Sequence, residues 1–220
     1  EIVLLIANAT RKLAAVILPV FAFFMVTGQE FLTVMFTSTY KDSWPIFAIN
    51  LLLLPISLIE VDAVMRAYEQ YRFFLLKLQV VLSVAMLFAL WYGISRFGLI
   101  GAISVVVVVN LVLRIVLAAK LVGVLGVKLR DVLLLKDVGK LMLASIVAGV
   151  ATLYVRSMML LNSTRPFSVL LICFSVFALA YLATVLLLRV PTHYERYQAW
   201  RAVERLQQMV FLGRSTNPVS

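Results

Sequence analysis

Long apolar stretches alternate with short charged connectors along almost the whole of this chain, and their lengths set the scale of the fold. A helix rises about 1.5 Å per residue and the hydrocarbon core of a bilayer is about 30 Å thick, so one crossing takes about 20 mostly apolar residues. Six stretches meet or approach that length: 13–36, 45–65, 73–92, 98–119, 138–161 and 167–188. The pattern predicts an all-α integral membrane protein with six transmembrane helices. Thr27, Gly28, Gln29 and Glu30 form a weak point in the first. There the helix either continues or breaks to leave a short interfacial helix over 31–36. Pro45 marks the entry of the second span, because its missing N–H costs nothing in a first helical turn. Arg156 interrupts the fifth span, and the link from Asn162 to Pro166 makes the last two an antiparallel hairpin.

The tail, 191–220, differs in kind. Tyr194, Tyr197, Trp200, Val203, Leu206 and Val210 recur at helical spacing with Arg196, Arg201 and Arg205 between them. This reads as a cytoplasmic amphipathic helix resting on the inner-leaflet surface, or as a docking site for a cytoplasmic enzyme, followed by a disordered end from Gly213.

Composition agrees with the pattern. Hydrophobic residues make up 64% of the chain and charged residues 14%, against about 45–50% and about 25% in soluble domains. The net charge of +10 comes from residues in the connectors and the tail. Anionic membrane lipids are therefore the expected counter-charge, and nucleic acid is not an expected partner. With the N-terminus cytoplasmic, 15 Lys and Arg fall inside, while Lys41, Arg96, Arg156 and Arg165 fall outside and Arg114 lies within the membrane. Both termini are thus predicted to be cytoplasmic. The chain opens on Glu1 with no basic leader before the first span, so a missing upstream part is expected.

Little here suggests catalysis. No nucleophile elbow, phosphate loop or zinc pattern occurs, the single histidine, His193, is in the tail, and Asp42 is the outer-loop acid, with Glu30 near the same interface. No cofactor is called for. Cys173 lies inside an apolar run without an intrachain partner, which reads as a buried, inert thiol.

The informative residues are polar groups at membrane depth, where a charge costs several kcal/mol unless it is paired, hydrated or snorkelling. Asn50, Ser57 and Glu60 fall along one side of the second span, with Asp62 close to its cytoplasmic end. Asn110 and Arg114, four apart, share a face of the fourth. Glu60 precedes Arg66, and Arg114 precedes Lys120, by the same six residues, so both sit about 9 Å into their helices. Three readings stay open for them: snorkelling to the head groups, a Glu60–Arg114 ion pair, or a hydrated cavity in which the planar guanidinium would hold a diphosphate. Lys77 reads as a snorkelling anchor. Pro19 and Pro55 predict bends within spans, and Gly98 with Gly101 predicts a tight turn opening the fourth helix.

The run from Phe36 through Thr37, Ser38, Thr39, Tyr40, Lys41, Asp42, Ser43, Trp44 and Pro45 to Phe47 has a familiar order. It is followed by a span ending near Arg66-Ala67-Tyr68-Glu69-Gln70 and then by Phe97-Gly98-Leu99-Ile100-Gly101-Ala102. Over about residues 10–190 this resembles the C-terminal half of Wzx-type polysaccharide (O-antigen) flippases, of the multidrug, oligosaccharidyl-lipid and polysaccharide exporter superfamily. The resemblance implies the last six helices of a transporter of 12 to 14, whose two lobes rock about a central cavity in the bacterial inner membrane. It implies an undecaprenyl-diphosphate-linked oligosaccharide as cargo, moved from inner to outer leaflet without ATP hydrolysis. The implied partners are that lipid-linked oligosaccharide, the N-terminal lobe of the same chain, and polysaccharide assembly proteins. The candidate cavity residues are then Arg114, Asn110, Glu60, Asn50 and Ser57, with Glu60 and Asp62 as candidates for a coupling ion. A drug or metabolite exporter of the same superfamily would also use the acids, and a membrane scaffold or glycan enzyme is the reading from another class. These six helices alone are not expected to transport.

Overall fold

Apolar runs that cannot satisfy their backbone in lipid must form helices, and the computed structural model is helical through almost all of the residues it describes: 2–58, 71–125, 136–161 and 166–188. In chain order these are α1 (Ile2–Phe36), a 3-10 turn (Ser38–Ser43), α2 (Trp44–Leu51), α3 (Leu53–Ser57), α4 (Arg72–Leu125), α5 (Lys136–Leu161) and α6 (Pro166–Leu187). Four of them, α1, α4, α5 and α6, are long and apolar enough to cross a membrane. The lower part of the 45–65 stretch, the 162–165 link and the tail lie outside the described residues.

The weak point of the first stretch does not break. α1 continues through Thr27, Gly28, Gln29 and Glu30 and ends at Phe36, where Thr37 leaves helical geometry at φ 91°, ψ 161°. It also begins well before residue 13. Pro55 explains why the second stretch is two short helices: without an N–H it leaves the Leu51 carbonyl unserved, and the chain breaks at Leu52. From Trp44 against Gly28 to Leu58 beside Ala14 and Leu18, this segment runs back along α1 in the opposite direction.

As a straight rod the 54 residues of α4 would reach about 80 Å, far beyond a bilayer. They fold back instead at Gly98, whose φ of 59° and ψ of −139° are open to glycine and strained for other residues. Buried Leu117 and Leu121 on the second limb pack against Tyr71, Phe74, Leu75 and Leu78 at the start of the first. The two limbs are the stretches expected at 73–92 and 98–119.

α1, α5 and α6 pack together, and α4 rests against α2 and α3. Ion pairs set the register of α1 and α5: Arg11 Nη1 to Asp137 Oδ2 at 3.6 Å, and Arg156 Nη2 to Glu30 Oε1 at 2.8 Å. The pairs are 19 residues apart on both helices, so the helices run parallel, and the spacing of about 28 Å matches the thickness of a hydrocarbon core. α6 is antiparallel to them, with Tyr181 beside Ala15 and Phe174 beside Phe23.

Pro19 lies inside α1 and lacks the N–H that would bond the carbonyl of Ala15 four residues earlier. The Tyr181 hydroxyl donates to that carbonyl at 3.0 Å. A tyrosine from α6 thus supplies the donor that the proline removed, and α1 stays a continuous helix. Tyr181→Phe is expected to cost about 1 kcal/mol in a detergent unfolding titration. In a Pro19→Ala background, where an alanine N–H can serve Ala15, the same change should cost nearly nothing.

Candidate functional site

The site is built by the inward stripe of α5. Leu141, Ala144, Ser145, Ala148, Gly149 and Thr152 are buried at helical spacing, and most are small, so α1 can approach closely. A Cβ placed on Gly149 would rest 3.8 Å from a Val26 methyl. The buried hydroxyls serve their own helices: Ser145 donates to Leu141 O at 2.9 Å, Thr152 to Ala148 O at 2.8 Å and Thr27 to Phe23 O at 2.9 Å. One turn beyond Thr152 the stripe delivers Arg156 to the face of α1 that carries Gln29 and Glu30.

Arg156 spends two donors on one oxygen. Nε lies 2.9 Å and Nη2 2.8 Å from Glu30 Oε1, and Nη2 also reaches Gln29 Oε1 at 3.1 Å. Glu30 is only 7% exposed, and its other oxygen, Oε2, is buried with no hydrogen-bond partner among the described residues. An arginine in fork-to-fork contact would serve both oxygens; here Gln29 takes the remaining share. Oε2 is therefore a buried acceptor that Arg156 leaves unserved. Trp44 closes the neighbouring side, lying so close to Gly28 that any Cβ there would collide with its indole ring. Val169, Cys173 and Phe177 form the buried face of α6, so Cys173 occupies the apolar setting expected of it.

The sequence places Arg156 among the outer charges, as a break in the apolar run of the 138–161 span. α5 carries it through to Leu161 as that span expects, and the guanidinium is half-buried beside Glu30, which neutralises it. The pair was within reach of the sequence. Glu30 lies six residues before the end of α1 and Arg156 five before the end of α5, which is the depth comparison that singled out Glu60 and Arg114. Nothing in the periodicity says that α1 and α5 touch.

The expected cavity residues that are described fall on three elements, α2, α3 and the second limb of α4. Asn110 donates Nδ2 to Val106 O at 2.9 Å and Ser57 donates Oγ to Leu54 O at 2.6 Å, each within its own segment. Asn50 is exposed on α2, and Arg114 is half-buried on the second limb of α4, four residues beyond Asn110. Glu60 and Asp62 lie outside the described residues. No group of three or more His, Cys, Asp or Glu suited to a metal ion occurs among those described. Comparison with protein-family models, with curated proteins and with solved structures finds no match to this chain.

Proposed function

We propose that this chain is the C-terminal six-helix part of a flippase that moves an undecaprenyl-diphosphate-linked oligosaccharide from the inner to the outer leaflet for cell-surface polysaccharide synthesis. The observation that carries the reading is the ordered resemblance running from Phe36 to Ala102. Its last element, Phe97 to Ala102, forms the reversal of a helical hairpin.

Parity supports six crossings. α1 and α5 are parallel, which requires an odd number of crossings between them. The two limbs of α4 provide two, and the segment from Trp44 to Leu58, which runs back along α1, is the third in this reading. With the excess of Lys and Arg on one side, both ends of the segment lie in the cytoplasm. The Glu30–Arg156 pair then sits toward the outer face, holding α1 and α5 as one rigid unit, and Arg114 on α4 remains the candidate ligand for the diphosphate.

The test is made in cells lacking the gene, by reading which leaflet holds the lipid-linked glycan with an impermeant lectin. Cytoplasmic accumulation is expected, reversed by the intact gene but not by its Arg114→Ala form. Normal glycan display combined with altered sensitivity to cationic compounds would overturn the reading in favour of an exporter.

A further inference from the structure

The limbs of α4 part around an apolar cleft of about 470 Å³ next to the Gly98 reversal. This is within the roughly 300–1,000 Å³ usual for a ligand pocket. Its walls include Ala89, Tyr92, Gly93 and Phe97 from the first limb and Gly101, Ser104 and Val108 from the second. Gly93 and Gly101 touch backbone to backbone and bring the two walls together at that point. Ser104 does not seek a polar ligand, since its hydroxyl donates to Ile100 O at 2.8 Å. The lining from Ala89 to Phe97 runs about 12 Å along the helix, close to the depth of one leaflet's hydrocarbon, about 15 Å.

One charge belongs to this face. Arg96 follows Tyr92 by four residues and Gly93 by three, so it continues the lining stripe at its reversal end. It is exposed and has no partner among the described residues. An apolar cleft with an exposed guanidinium on the same helical stripe, unpaired among the described residues, is complementary to an amphiphile with a long chain and an anionic head.

The geometry points to a phospholipid site, in which one acyl chain of an anionic phospholipid occupies the cleft and its phosphate meets Arg96. This inference needs only the membrane setting and is independent of the flippase reading. Native mass spectrometry of the full chain in detergent, titrated separately with phosphatidylglycerol, phosphatidylcholine and a polyprenyl phosphate, tests it. Phosphatidylglycerol is expected to bind tightest. Arg96→Gln should weaken it about five-fold while Arg96→Lys retains it, as fits one basic residue against a lipid phosphate. Ala89→Phe with Ser104→Leu, which fills the cleft with apolar atoms, should abolish tight binding while helix content and melting temperature stay unchanged. Equal binding of phosphatidylcholine, indifference to Arg96→Gln, or undiminished binding by the filled variant would overturn the site. Preference for the polyprenyl phosphate would overturn the phospholipid as its occupant.

Discussion

Arg156→Met is expected to destabilise the helix bundle by about 3–5 kcal/mol, because it leaves the Glu30 carboxylate buried without its counter-charge. Glu30 keeps 7% of its surface exposed and Oε2 already lacks a donor, so among the described residues none replaces what Arg156 provides. Glu30→Gln should cost less than Arg156→Met. An amide can still accept from the guanidinium, and the arginine side chain retains 19% exposure and the Gln29 contact. The informative variant is the double one, Glu30→Gln with Arg156→Met, which removes both charges and is expected to recover much of the loss. The cycle, read by urea unfolding in detergent, should return a coupling energy of about 1–3 kcal/mol. Additive effects would mean that the two side chains do not share a site, and would remove the register that this pair imposes on α1 and α5.

Gly101→Leu is expected to split the α4 hairpin. A Cβ at this position collides with the Gly93 carbonyl oxygen and lies 2.8 Å from both the Gly93 carbonyl carbon and Phe97 Cβ. Backbone cannot swing aside as a side chain can, so the limbs must separate, and the overpacking cost is about 3 kcal/mol. Gly98→Ala is the useful contrast. Nothing lies within 4 Å of its Cβ position, yet φ there is +59°, so its cost of about 1–3 kcal/mol is conformational. Disulfide trapping between cysteines placed at Phe74 and Leu117, in a Cys173→Ala background, reports limb pairing. Cross-linking should fall sharply in Gly101→Leu and persist in Gly98→Ala. Undiminished trapping in Gly101→Leu would show that the glycine contact does not hold the limbs together.

The apolar runs by themselves determined that the chain is helical, with helices long and apolar enough to cross a membrane, since an unbroken apolar run of about 20 residues satisfies its backbone in lipid within itself only as a helix. They also placed the two limbs of α4, α5 and α6 to within a few residues, because the length of a crossing and the positions of Pro45, Gly98 and Pro166 mark where helices start and turn. Gly98 could be read as a turn because it and Gly101 follow Arg96 closely at the junction of two apolar runs. Resistance to breaking at Gly28 to Glu30 could not be read, because it depends on Arg156 and Trp44, both distant in sequence. The same holds for Pro19, whose missing hydrogen bond is replaced by Tyr181 from α6. Periodicity reports which face of a helix is apolar and how deep a residue lies. It carries nothing about which helix faces which, and in a bundle whose members are nearly all apolar many pairings bury similar surface. Tertiary packing therefore decided that the buried charge of α1 is met by Arg156, since the ion pair forms only where parallel helices bring equal depths within a few ångströms.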